Sequence, residues 1–379
     1  PSASSACREN NGSPIVEFTF NEDQLLLQRA VRDFLEGECT PAAVRELWET
    51  ETGRSPAFWA KLSEIGVPGL LVPEEHDGLG MDERDLVLVL EEAGRAALAE
   101  PVIATAAVGV PLLVELSGKG QPELAQKWLG AVARGEAMLA VGHARSPFVG
   151  DAHVADLLFL PDGDDLHAVP RAEAKLTAQD SNDQSQRLFS VDWSPSAATR
   201  VASGPEGAVI QQAAFDRGVL ACAAQQLGVG QRLIDMGALY ATQRQQFGVA
   251  IGSFQAVKHR LANAKVQVEY ARAVVYRAAH SVATGSDQRA ADVSMAKVAA
   301  GEAALFASKE ALQVHGAIGY TYEQDLHIWM KRAWSLDLAF GTGAWHRARL
   351  ADAIIDGIVD GIVDGQAPVR AFGYCAPKA

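Results

Sequence analysis

Positive charge is what this 379-residue chain is shortest of: 33 Lys and Arg stand against 47 Asp and Glu, a formal net charge of −14. Nucleic acid and anionic membranes need local cations to pair phosphates and release counterions, so neither is expected as a partner. Cysteine is scarce too. Cys7, Cys39, Cys222 and Cys375 lie far apart and form no C-x-x-C pair, which argues against a zinc site and a disulfide framework, and no metal ligand is assigned. The most apolar window, residues 101–116, is broken by Pro101 and Pro111, and it is too short to span a bilayer. Residues 1–14 are polar and lack the apolar core of a secretory signal. A reduced, cytoplasmic setting is the default expectation.

What is present is helix-forming. Hydrophobic residues make up 48% of the chain but aromatics only 7%, and the length exceeds one ordinary core, so two or three subdomains are expected. Residues 1–15 read as a disordered tail. Phe18 to Leu35 carries an apolar stripe at helical spacing behind Asn21 as N-cap, with further helices over 57–65, 82–98 and 121–134. Together these suggest a helical domain over 16–139. A G-x-G at Gly78-Leu79-Gly80 does not follow a strand, so it is no dinucleotide fingerprint.

Between 140 and 208 short apolar runs alternate with turns, the pattern of a small β-domain. Asp162-Gly163-Asp164-Asp165 lacks a calcium-ligand series and reads as a hairpin turn. Residues 172–186 read as a polar, mobile loop. From 209 to 356 the chain is helical again, with expected helices over 219–247, 254–284, 287–312 and 324–356 forming an antiparallel four-helix bundle. The tail, 357–379, begins near a repeated Asp-Gly-Ile-Val that reads as a fraying helix end.

Two motifs carry chemistry. Gln313-Val314-His315-Gly316-Ala317-Ile318-Gly319 stops a long helix with glycines that expose backbone N–H groups, a geometry suited to phosphate as well as to a plain cap. Arg244-Gln245-Gln246-Phe247-Gly248, read as the last turn of a bundle helix, offers a cation, an amide and a ring. A guanidinium suits a diphosphate and a ring suits an adenine.

In this order and spacing, R-x-Q-F-G, F-Q-A-V-K-H-R-L-A and Q-V-H-G-A-I-G-Y-T-Y-E closely resemble the C-terminal bundle of the acyl-CoA dehydrogenases. The resemblance extends over roughly 16–356 and is weakest between 140 and 210. It implies a mainly α fold with a shortened, barrel-like β-domain, bound FAD, and α,β-desaturation of an acyl-CoA thioester. It also implies an electron-transfer flavoprotein as acceptor. Carried over, Arg244, Gln246, Phe247, Phe254, Gln313 and Gly316 would contact the ADP half of a neighbouring chain's FAD; Ala317 stands where the family has a second glycine.

The catalytic side departs from the family. One family position for the carboxylate base lies 27 residues beyond the glutamine and falls on Phe340; the other, about 26 before the arginine, falls on Gly218. Asp216, two residues from Gly218, reads first as an N-cap. The flavin-ring loop T-E-P-x-A-G-S-D is replaced by Val141-Gly142-His143-Ala144-Arg145-Ser146-Pro147. The expectation is therefore no catalytic residue of its own. The chain would be a base-lacking subunit paired with a paralogous acyl-CoA dehydrogenase in an α2β2 assembly, acting on a bulky acyl-CoA such as a steroid side-chain CoA ester. The alternatives are a self-sufficient enzyme using Asp216 or Glu323 as base, and a scaffold that binds no flavin.

Overall fold

A computed structural model describes residues 19–363; the expected tail at 1–15 and the stretch 364–379 lie outside the described residues. The N-terminal region holds α1 (Glu22–Glu38), α2 (Pro41–Trp48), α3 (Pro56–Glu64), α4 (Glu83–Arg95), α5 (Val110–Gly118) and α6 (Pro122–Ala133). Asn21 caps α1 in a full capping box with Gln24, which satisfies two orphan N–H groups reciprocally. The short α2 is an addition to the expected helices, although Thr40 caps Ala43 N–H and Pro41 sits in the first turn, both start signals. Residues 103–109 form a π-helix. Its Thr105 hydroxyl lies 3.1 Å from both Leu139 N and Leu139 O, stitching this region to the β-domain.

The β-domain is two open sheets that do not close into a barrel. One has the order β1 (Leu139–Val141), β3 (Leu157–Asp162), β4 (Asp165–Pro170), β7 (Arg200–Ala202); the other has β2 (Val149–Gly150), β6 (Leu188–Asp192), β5 (Lys175–Gln179). Asp162 pairs with Asp165 across a two-residue hairpin whose Gly163 has φ 59°, as the turn chemistry predicts. The mobile-loop expectation for 172–186 is corrected: β5 pairs antiparallel with β6, and Asp183 is buried in an ion pair with Arg332 at 2.5 Å. An edge strand with one polar face carries too weak an alternation to be seen in sequence.

The bundle comprises α7 (Gly204–Gln243), α8 (Gln255–Ala283), α9 (Arg289–His315), α10 (Leu326–Leu338) and α11 (Gly343–Val363). The expected fourth helix is thus two, broken at residues 339–342, where Phe340 has φ 53° and Gly341 φ 93°. The last helix continues through both Asp-Gly-Ile-Val repeats rather than fraying at 356. α7 and α9 pack along each other, α9 offering a stripe of buried alanines from Ala296 to Ala311. At Gly94 of α4 an added Cβ would lie 2.0 Å from Gln225 O, and at Gly228 of α7 1.8 Å from Glu91 O. Only glycine allows this backbone approach, so the N-terminal region and bundle share one apolar core.

Candidate functional site

The structure places the six candidate cofactor residues at one end of the bundle, though not as a helical turn. α7 stops at Gln243, and Arg244 turns extended at φ −74°, ψ 125°. A small hairpin follows, β8 (Gln245–Gln246) paired with β9 (Val249–Ala250). Its tip, Phe247-Gly248, has φ 55° and 80°, the two positive values of a type I′ turn. This corrects the reading of Arg244 to Phe247 as a last helical turn; the glycine signals the hairpin, but the apolar pattern of α7 runs up to it and masks the signal.

Phe247 is 92% exposed, its ring 6.2 Å from that of Phe254. Gly316 closes α9 with φ 66°, ψ −142°, a region reserved for glycine. The Tyr240 and His315 rings stack at 4.4 Å and so tie the base of the hairpin to the Gly316 turn. Arg244, Gln246 and Gln313 are exposed, and no side-chain partner is found for them among the described residues.

Further along α7 the picture reverses. A Cβ at Gly218 would lie 2.1 Å from the ring of Phe340. The two positions that the family resemblance gives for a base therefore lie side by side, and the Phe340 ring fills the space a side chain at 218 would need. Around them His143 stacks on Phe340 at 4.7 Å, Phe215 lies 5.9 Å from Phe340 and 5.5 Å from Trp345, and the Arg145 guanidinium sits 3.9 Å above Trp345. His346 Nε2 lies 2.9 Å from Phe340 O. Burial pushes both His143 and His346 down to about 4, so both imidazoles are neutral at physiological pH; the Arg349 guanidinium also lies 5.6 Å from the Trp345 ring.

Asp216 is no N-cap: it sits inside α7, fully buried, accepting from Arg349 at 2.8 Å, Arg289 at 3.2 Å and Gln212 at 3.0 Å. Asp216-Arg217-Gly218 resembles a helix start only because the glycine interrupts the apolar stripe. Glu323 is exposed at the surface. Neither reaches the two cavities that flank Phe340, one of about 340 Å³ and one of about 130 Å³.

Comparison with known proteins agrees with this layout. Family models for the acyl-CoA dehydrogenase N-terminal and C-terminal domains match residues 21–136 and 206–355. The chain belongs to the acyl-CoA dehydrogenase family. It is 35% identical to acyl-CoA dehydrogenase IpdE2 of Mycolicibacterium smegmatis, over 83% of this chain and 93% of that one. Identity to IpdE2 of Mycobacterium tuberculosis is 31%, over 82% and 91%. Among solved structures, the ChsE4-ChsE5 complex from Mycobacterium tuberculosis superposes with a TM-score of 0.80 at 26% identity, covering 90% of this chain and 99% of that chain. The Tcur3481-Tcur3483 steroid ACAD has the same fold, with a TM-score of 0.78 at 24% identity.

Acyl-CoA dehydrogenases are flavoproteins, so FAD is expected. The exposed cation, amides and rings of the hairpin end fit the ADP half of FAD in chemistry. On the flavin-ring side, several backbone donors of the 141–151 segment are spent internally, Gly142 N on Phe159 O, Ser146 N on His143 O and Asp151 N on Arg187 O, and the His143 ring is stacked on Phe340. No helix among the described residues is long and apolar enough to cross a membrane. No group of three His, Cys, Asp or Glu among them could hold a metal.

Proposed function

We propose that this chain is the base-lacking subunit of a hetero-oligomeric, FAD-dependent acyl-CoA dehydrogenase. A paralogous partner, in an α2β2 assembly, supplies the carboxylate, the flavin-ring contacts and the acyl pocket. The observation that carries the reading is the Phe340 ring packed into the space a side chain at Gly218 would need, so that neither position holds a carboxylate, beside the exposed hairpin end. Arg244, Gln246, Phe247, Phe254, Gln313 and Gly316 would hold the ADP half of the flavin shared with the partner. FAD, when bound, accepts the hydride from the acyl β-carbon. The substrate class is an acyl-CoA with a bulky acyl group, a steroid side-chain CoA ester, and the acceptor an electron-transfer flavoprotein.

Co-expression with the paralogue and flavin quantitation per chain tests this. Flavin and turnover are expected from the complex only, and a yellow, active protein from this chain alone would refute the reading. Arg244→Ala is expected to weaken FAD retention in the complex about tenfold, the worth of one charge-assisted contact. Unchanged retention would favour a scaffold that binds no flavin. The self-sufficient reading is disfavoured by the double arginine pairing of Asp216 and the exposure of Glu323.

A further inference from the structure

Away from Phe340, a cavity of about 270 Å³ opens where α1, the start of α2, α4, α7 and α10 converge. Pockets for drug-sized ligands run from about 300 to 1,000 Å³, so this one suits a smaller molecule. Leu35, Ala96, Pro41 and the Trp329 indole give it an apolar wall. Its charged lining pairs off with one exception. Glu92, its side chain 1% exposed, is clasped by Arg32, Nε to Oε2 at 2.9 Å, and also accepts from Gln28 at 2.8 Å. Arg95 reaches Asp235 through Nη1, and its Nε lies 3.6 Å from Glu36.

Arg232 is the exception. It forms no ion pair and donates no hydrogen bond among the described residues, and its Nε is buried. The guanidinium sits instead 5.1 Å from the centroid of the Trp329 ring, whose Nε1 is already given to Arg95 O at 2.8 Å. A cation–π contact offsets only part of the desolvation that a guanidinium suffers in such a place. The Cys39 thiol on the same wall supplies no counter-charge: burial pushes it up to about 12, so it keeps its proton. Asp235, Glu36 and Asp325 act on Arg232 only from beyond ion-pair reach, and the Arg95 charge opposes them.

We infer that this cavity binds a small monocarboxylate with a compact apolar body: the Arg232 fork takes the carboxylate, and Trp329, Leu35 and Pro41 enclose the body. A guanidinium presents parallel N–H groups that match the two oxygens of one carboxylate. One unpaired positive charge calls for a monoanion, since a phosphate dianion would bring a second negative charge up to Glu36 and Glu92. The cavity shares no lining residue with the two beside Phe340 and none with the hairpin end. The flavin reading plays no part in this inference, so the two fail separately.

The test is calorimetric titration and thermal unfolding of the full-length chain with benzoate, against its neutral isostere benzamide and inorganic phosphate. Benzoate is expected to bind saturably and raise Tm, and the other two to bind more weakly by about tenfold or more. Arg232→Met keeps an apolar stem over Trp329 and removes the charge. It should lower benzoate affinity by about tenfold or more while leaving the ligand-free Tm unchanged or higher, because a desolvated charge without a counter-ion is removed. An arginine that only holds the helices together would lower that Tm instead. Should this variant fail to fold, Glu36→Gln, at a side chain 54% exposed, takes one negative charge off the rim and is expected to tighten benzoate by about threefold. Equal binding of benzamide or phosphate, affinity indifferent to Arg232→Met, a Glu36→Gln variant no tighter than wild type, or no saturable binding because Arg232 holds only water, would each overturn the inference.

Discussion

Around Phe215 to Gly218, α7 is met by Phe340, His143 and Trp345 from its own chain; around Arg244 to Phe254 it ends in side chains that little in the chain meets. The two places are about 40 Å apart along one helix. Their difference is what the proposed dependence on a partner rests on. A spot filled by stacked rings and neutral histidines has no room for a carboxylate base. A spot with an unpaired arginine and a ring left 92% exposed is built to be completed by something else.

That contrast is broken most forcefully at the filled end. Gly218→Ala puts a methyl against the Phe340 ring and is expected to cost about 3 kcal/mol in denaturant unfolding, because overpacking forces the ring or backbone to shift. In Phe340→Ala the same methyl is tolerated, so the double-mutant cycle should show a coupling of about 1 kcal/mol or more. Additive effects would mean the Phe340 ring does not fill the space beside Gly218.

Asp216→Asn should cost a similar or slightly smaller amount, about 3 kcal/mol, by leaving Arg289 and Arg349 without their buried counter-charge. Retained stability with lost turnover would instead revive the self-sufficient reading. Glu100→Gln sharpens the comparison through pH. The folded carboxyl titrates near 7 rather than 4.5, so it holds its proton where the unfolded chain has lost it. Wild-type stability relative to the variant therefore falls as pH rises from 4.5 to 7, by on the order of 2 kcal/mol, and urea midpoints at three pH values would show it. The charged groups sharing with Glu100 the smaller cavity beside Phe340 are Arg54, Asp151 and Arg332. Smallest of all, Phe247→Ala should change the isolated chain's stability by no more than about 0.5 kcal/mol, while lowering flavin retention in the complex.

Much of the fold is legible in the sequence because it is local. Asn21 and Gln24 announce a capping box within three residues, and Gly163 announces a hairpin within four. The spacing of Arg244, Phe247 and Gln313 is enough to put both motifs at bundle ends, and counting along the chain from them reaches Phe340 and Gly218. That those two residues touch is not legible. It needs α7 and the α10–α11 break to be brought together, and sequence carries no signal for a contact between residues 122 positions apart. β5 is hidden by its solvent-facing polar side chains, and the start of α7 by a glycine that serves packing rather than termination. Glu100 is visible only as a lone acid in an apolar stretch, and burial alone turns it into an unpaired one.

The π-helix at 103–109 gives the molecule a different kind of adjustability. Its i→i+5 ladder holds more residues in a turn than an α-helix does, and its first two residues, Ile103 and Ala104, line the same cavity as Glu100. Losing one residue between 105 and 108 would let the segment tighten to α geometry and redraw that cavity's wall, with no side chain exchanged. Chain length, counted in single codons, is thus a dial for the shape of the cavity, and relatives that differ there by one residue should differ in what fits.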